Sequence, residues 1–136
     1  MAAQFKLKII TPAKTFFDGE TSQLIVRTTE GDIGILANHI SLVASLPSGP
    51  LKIKMEDGSF KVAAVSSGLL KVGGNKASVI ANAVEWADEI DVEWAKRSEQ
   101  EAREKLEQLS DEHELDIAEL KLKRALNRIS VHSMLK

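Results

Sequence analysis

Glycine and proline stop at Gly74. All 8 Gly and all 3 Pro fall in the first 74 residues, and the last 62 contain neither. Without them a chain lacks its usual means of reversing direction tightly, and long uninterrupted helices become the natural outcome. Charge divides at nearly the same place. Before Glu85 there are 6 acidic and 9 basic residues; from Glu85 on there are 14 and 9, so the body is net +3 and the tail net −5. Two kinds of structure are expected: a turn-rich apolar body and a charged helical tail that acts at the surface.

The body reads as β. Phe5, Leu7 and Ile9 alternate with Lys6 and Lys8 as in a half-buried strand, which Thr11-Pro12-Ala13-Lys14 breaks. Short β-like runs follow at Leu24–Val26, Ile33–Leu36 and Leu42–Leu46, the last ending at Pro47-Ser48-Gly49-Pro50. Between residues 51 and 65 two alternating runs flank Asp57-Gly58, the signature of a hairpin on a tight primed turn with positive φ at both central positions. Gly73-Gly74-Asn75-Lys76 predicts a second hairpin joining Leu69–Val72 to Ala77–Ala81. Many short strands at close spacing predict an antiparallel β-sandwich or barrel over residues 1–84.

The tail predicts two helices, Asp88–Leu109 and about Glu112–Ser133, separated at Ser110-Asp111. Asp111 three residues before Glu114 has the form of a capping box. In the second helix Leu115, Ala118, Leu122, Ala125, Leu126 and Ile129 share one face. The first has only the thin stripe Ala95, Ala102, Leu106, Leu109, helped by i,i+4 pairs Glu99–Arg103 and Glu101–Lys105 at about 0.2–0.5 kcal/mol each. Folded about residue 110, residues 88–136 form an antiparallel hairpin with a narrow, Ala-rich seam. Such helices, free of breakers, are expected to stay helical when the hairpin opens.

Composition excludes several functions. The apolar fraction of 43% is that of a globular chain, and 136 residues suit one domain or a small domain with an appendage. No stretch approaches the ~18 consecutive apolar residues of a membrane span. The opening residues lead straight into strand alternation, unlike a signal or transit peptide. Zero Cys removes disulfides, thiolate nucleophiles and Cys-based metal sites. Net charge −2 and four Phe with two Trp give no nucleic-acid footprint. His39, His113 and His132 lack metal-ligand spacing. Gly68 and Gly73 lack the Lys-Ser/Thr that completes a phosphate loop, and Ser66-Ser67-Gly68 is no nucleophile elbow. Nothing points to catalysis.

Two charge features remain. The acidic run Glu85, Asp88, Glu89, Asp91, Glu93 suits a helix start, where caps and the dipole favour carboxylates. Arg124 and Arg128 stack at i,i+4 with no acid at i±3 or i±4. Folding the hairpin brings Arg128 near Asp91 and Arg124 near Lys96. Two readings stand: ion pairing with the first helix's carboxylates, or an anion site between the helices.

Specific motifs now join this order of elements. Gly31-Asp32-Ile33-Gly34-Ile35-Leu36 with His39, Val65-Ser66-Ser67-Gly68-Leu69-Leu70, Ile90-Asp91 and Lys123-Arg124-Ala125-Leu126-Asn127-Arg128 resemble, in order and over the whole chain, the epsilon subunit of bacterial F-type ATP synthases. The resemblance implies a non-catalytic central-stalk subunit of a proton- or sodium-translocating synthase. The sandwich would meet the gamma subunit and the c-subunit ring, with Glu30, Asp32 and His39 at the partner interface. The helical hairpin would fold on the sandwich, or extend toward the alpha/beta head and inhibit ATP hydrolysis. The chain would sit peripherally at the cytoplasmic face of the bacterial membrane.

No cofactor is required by the resemblance, but ATP is implied as a regulatory ligand of the folded hairpin at Glu85, Asp91, Arg124 and Arg128. The family's Ile/Leu-Asp-x-x-Arg-Ala appears here as Ile90-Asp91-Val92-Glu93-Trp94-Ala95, so Trp94 replaces an arginine. Pro-Gly-His-x-Pro appears as Ala37-Asn38-His39-Ile40-Ser41. The alternative reading is a β-sandwich adaptor with a helical partner-binding arm and no nucleotide role.

Overall fold

A computed structural model describes residues 3–135. Ten strands form two five-stranded sheets packed face to face, followed by two helices. In the first sheet, β1 (Phe5–Ile10) pairs antiparallel with the edge strand β2 (Thr15–Thr21) and parallel with β9 (Lys76–Ala81). Next come β8 (Gly68–Gly73) and, at the far edge, β5 (Leu42–Leu46). Among the described residues the β1–β9 pair is the one parallel pairing in an otherwise antiparallel sandwich, and a crossover through the second sheet makes it.

The second sheet runs β10 (Val84–Trp86), β7 (Phe60–Val65), β6 (Gly49–Lys54), β3 (Gln23–Thr28) and β4 (Gly31–Leu36). Period-2 alternation aims one side of each sheet inward. Leu7, Ile9, Leu24, Ile35, Leu51, Ile53, Leu70 and Val79 are the large side chains of this core, each at most 1% exposed. Thr21 is buried as well, and its hydroxyl donates across the sheets to the Lys54 carbonyl at 2.7 Å. Trp86 closes the side formed by β2 and β10. Its ring lies 4.5 Å from Phe16 and 6.3 Å from Phe17, with the Lys61 ammonium 4.1 Å over its face.

The two predicted hairpins turn differently. At Gly73–Lys76 both central residues, Gly74 and Asn75, have positive φ (59° and 57°), as a two-residue primed turn requires. At Asp57-Gly58 only Gly58 does, with φ 88°. The Gly58 N–H donates to the Met55 carbonyl at 3.0 Å, the Met55 N–H to the Ser59 carbonyl at 2.7 Å, and Asp57 accepts from the Ser59 N–H at 2.9 Å. The loop is therefore longer than the primed turn expected, with the aspartate side chain completing it.

A one-turn 3-10 helix (Ala87–Glu89) leads to α1 (Val92–Gln108), so the first helix starts four residues later than expected. Asp91 caps α1 by accepting from the Trp94 N–H at 3.0 Å. The second helix, α2, spans Glu112–Ser133. Asp111 caps it by accepting from the His113 N–H at 3.0 Å, one residue short of the capping-box partner. The seam buries Ala95, Ser98 and Ala102 against Ala118 and Ala125. Leu126, expected on the buried face, is exposed. Glu99 pairs with Arg103 at 2.9 Å as expected, but Glu101 reaches across the seam to Lys121 at 3.0 Å instead of to Lys105.

Candidate functional site

The hairpin rests on the second sheet through the C-terminal half of α2. Val131, fully buried, packs against Ala64, Ala87, Ile90 and Val62. Asn127 Nδ2 donates to two strand-end carbonyls, Gly49 at 3.2 Å and Val65 at 3.1 Å. Arg128 Nε donates to Glu85 Oε1 at 2.6 Å. Helical spacing puts 127, 128 and 131 on one face, so a single stripe supplies an amide, a cation and an apolar knob.

Above this contact a cleft of about 380 Å³ opens between the helices, lined by Trp94, Ser98, Ile117, Leu120, Arg124 and Arg128 among others. Trp94 is 47% exposed, and the Arg128 guanidinium carbon sits 5.2 Å from its ring centroid. Arg128 thus has a carboxylate on one side and an aromatic face on the other. Arg124 has neither. Its Nε is buried with no hydrogen-bond partner among the described residues, a costly state for a charged donor.

Of the four residues predicted for an anion, Glu85 and Arg128 are brought into direct contact. Arg124 lies one turn away in the cleft. Asp91 is at the start of α1, where its carboxylate is engaged as the cap. The expected approach of Arg128 to the start of α1 is seen at Trp94, while its ionic partner is Glu85. The sequence passed over Asn127, although it is the only Asn after Asn82 in a stretch chosen for helix formers. That anomaly was the available signal.

The predicted partner residues split between the two ends of β4. Glu30 and Asp32 lie at the β3–β4 turn, where Asp32 takes Arg27 Nε at 2.9 Å. That hydrogen bond, with the attraction of the Arg27 charge, holds the Asp32 carboxyl below its usual range. His39 lies beyond the other end, more than about 13 Å along the strand direction. There Asn38 takes φ 61°, and Asn is among the residues that tolerate this conformation.

Beyond His39, two apolar side chains stand exposed beside Lys71 and Lys76. Ile40 and Val43 are 80% and 65% exposed. Leu69 and Ile80, 46% and 55% exposed, are register partners on the outer face of the first sheet, with Ile10 next in line. The hairpin covers the other sheet, so this patch lies on the opposite side of the sandwich. Among the described residues no group of three or more His, Cys, Asp or Glu is placed to hold a metal ion. No helix among them is long and apolar enough to cross a membrane.

A ten-stranded sandwich bearing a capped two-helix hairpin defines a class of small two-part subunits with no catalytic constellation. Residues 4–87 match the family ATP synthase, Delta/Epsilon chain, beta-sandwich domain, and residues 88–133 match ATP synthase, Delta/Epsilon chain, long alpha-helix domain. The chain is 48% identical over 130 residues to the ATP synthase epsilon chain of Ruminococcus albus, covering 95% of this chain and 96% of that one. It is 39% identical to that of Caldicellulosiruptor bescii, covering 95% and 93%. A chain in the Euglena gracilis mitochondrial ATP synthase structure superposes with a TM-score of 0.82 at 26% identity, covering 93% of this chain and 80% of that one. The chain belongs to the ATP synthase delta/epsilon family. It is an epsilon-type chain of that family, a non-catalytic subunit of the ATP synthase complex.

Proposed function

We propose that this subunit has two working surfaces: a fixed one on the sandwich and a movable one on the hairpin. The fixed surface is the outer face of the first sheet with the His39 loop. The exposed apolar row of Leu69 and Ile80 with Ile10, flanked by a row of Val43, Lys71, Ser78 and Lys8, is the single observation that carries the reading, since exposed apolar area marks a protein contact. Its occupant is the gamma subunit, with the c-subunit ring meeting the sandwich at the Glu30 and Asp32 turn. The subunit thereby rides at the cytoplasmic face of the bacterial membrane without entering it, and couples the rotation of a proton- or sodium-driven ring to the head.

The hairpin restrains ATP hydrolysis by leaving the sandwich and extending toward the alpha/beta head. Its small contact with the second sheet supports this, because one buried valine, one amide and one ion pair are readily given up together. Co-purification with gamma tests the fixed surface. Leu69→Glu with Ile80→Glu is expected to abolish it while the isolated chain stays folded; retained association would refute the assignment.

A second reading is carried by the unpartnered Arg124 Nε. ATP in the interhelix cleft would give this donor a phosphate oxygen and hold the hairpin down, with Glu85, Asp91 and Arg128 around it. Calorimetry is expected to show binding that Arg124→Ala weakens about tenfold or more. Equal heats for the two proteins would make the hairpin blind to nucleotide.

A further inference from the structure

We infer that Asn127 is the clasp that sets how often the hairpin is docked; this rests on the reading that the hairpin moves. Three contacts hold α2 to the sandwich, and they differ in what happens when they are lost. Val131 gives up apolar contact that any partner surface can replace. Arg128 keeps Trp94, which lies on the hairpin itself, and leaves a half-exposed Glu85 to water. Asn127 is different because its absence harms only the docked state.

Gly49 and Val65 lie directly opposite each other in the β6–β7 register. Gly49 is buried and Val65 is 1% exposed with α2 docked. Both carbonyls belong to the β6–β7 ladder, and the one Asn127 amide donates to each of them, bridging the two strands from above. With the hairpin away, water satisfies the same oxygens at no cost. A side chain of similar size without donors therefore forfeits both hydrogen bonds in the docked state and changes nothing in the undocked one. A carboxylate at this position would add repulsion toward both oxygens.

The chain has no cysteine, so Glu56→Cys on the β6–β7 turn and Ser110→Cys between the helices accept a donor and an acceptor dye cleanly. Single-molecule energy transfer on the full chain then reads the ratio of undocked to docked hairpin. Asn127→Leu is expected to raise that ratio about tenfold and Asn127→Asp further still, with helix content by circular dichroism unchanged. Ser130→Ala, an exposed neighbour, should leave it unmoved, and Val131→Asp should open the hairpin as a positive control. If Val131→Asp opens it while both Asn127 variants stay within twofold of the parent, the clasp is refuted and the moving hairpin survives. If no variant produces an undocked population, the moving hairpin falls and the clasp with it.

Discussion

The sandwich and the hairpin of this chain are stabilised by different means. The sandwich interleaves Leu, Ile and Val from nine strands with Phe16 and Phe17 from β2, each side chain removing a large apolar area from water. The hairpin seam is Ala, Ala and Ser on one side and Ala and Ala on the other. At about 25 cal/mol per Å² of buried apolar area, small side chains gain little, and what they allow is close approach of two rods. Caps and ion pairs at the ends and edges supply much of the rest. One part is built to stay put and the other to be rearranged at low cost.

The difference should appear first as unequal sensitivity to core substitution. Leu51→Ala, at a fully buried position, is expected to lower stability by about 2–5 kcal/mol and to bring down the sandwich in a thermal melt. Gly68→Ala should be nearly as harmful, since an added Cβ would collide with the Ile80 carbonyl oxygen and meet the Ala81 Cα at 2.8 Å. If either left the melt unchanged, the contrast would fail on the sandwich side.

Overfilling the seam should have the reverse signature. Ala102→Leu is expected to cost about 1–3 kcal/mol, read as earlier loss of helical signal with the strand signal unmoved. Parallel loss of both signals would mean that the two parts melt as one. Asp91→Ala removes the α1 cap and should cost about 1 kcal/mol of helix stability by circular dichroism. It also separates the cap from any role in anion binding, because Asp91→Asn keeps an acceptor while dropping the charge.

The smallest effect concerns pH. The hydrogen bond from Lys121, then its charge, lowers the Glu101 carboxyl pKa below the usual value. A depressed carboxylate contributes stability that is present above its unfolded pKa of about 4.3 and is lost as pH falls through the folded value. The interhelix pair should therefore loosen only in acid, below about pH 4, and Glu101→Gln should remove that part of the titration. An unaltered profile would show the pair to be ornamental, as many exposed pairs are.

What the sequence revealed follows the range of the interactions involved. The Gly74-Asn75 turn, the cap at Asp111 and the separation of body from tail are local, and they were legible. Strand β2 was not, because Phe16, Asp18, Gly19 and Glu20 interrupt alternation and its place is fixed by pairing with β1. The parallel β1–β9 pair joins residues about 70 apart and leaves no local trace. At the candidate site, the missing local partner of Arg128 was visible, whereas its choice of Glu85 depends on how the hairpin lies on β10. Lys121 with Glu101, and Asn127 with two carbonyls, are likewise tertiary choices that helical spacing does not specify.

Native-state amide exchange on the full chain tests the central claim most directly, because it assigns an opening free energy to each element. Amides of β1, β6, β8 and β9 should exchange only through global unfolding. Those of α1 and α2 should exchange as one group through a lower-energy opening with a smaller denaturant dependence. If helices and strands exchanged with the same free energy and the same denaturant slope, the chain would be a single cooperative unit, and the contrast between fixed sandwich and movable hairpin would be wrong.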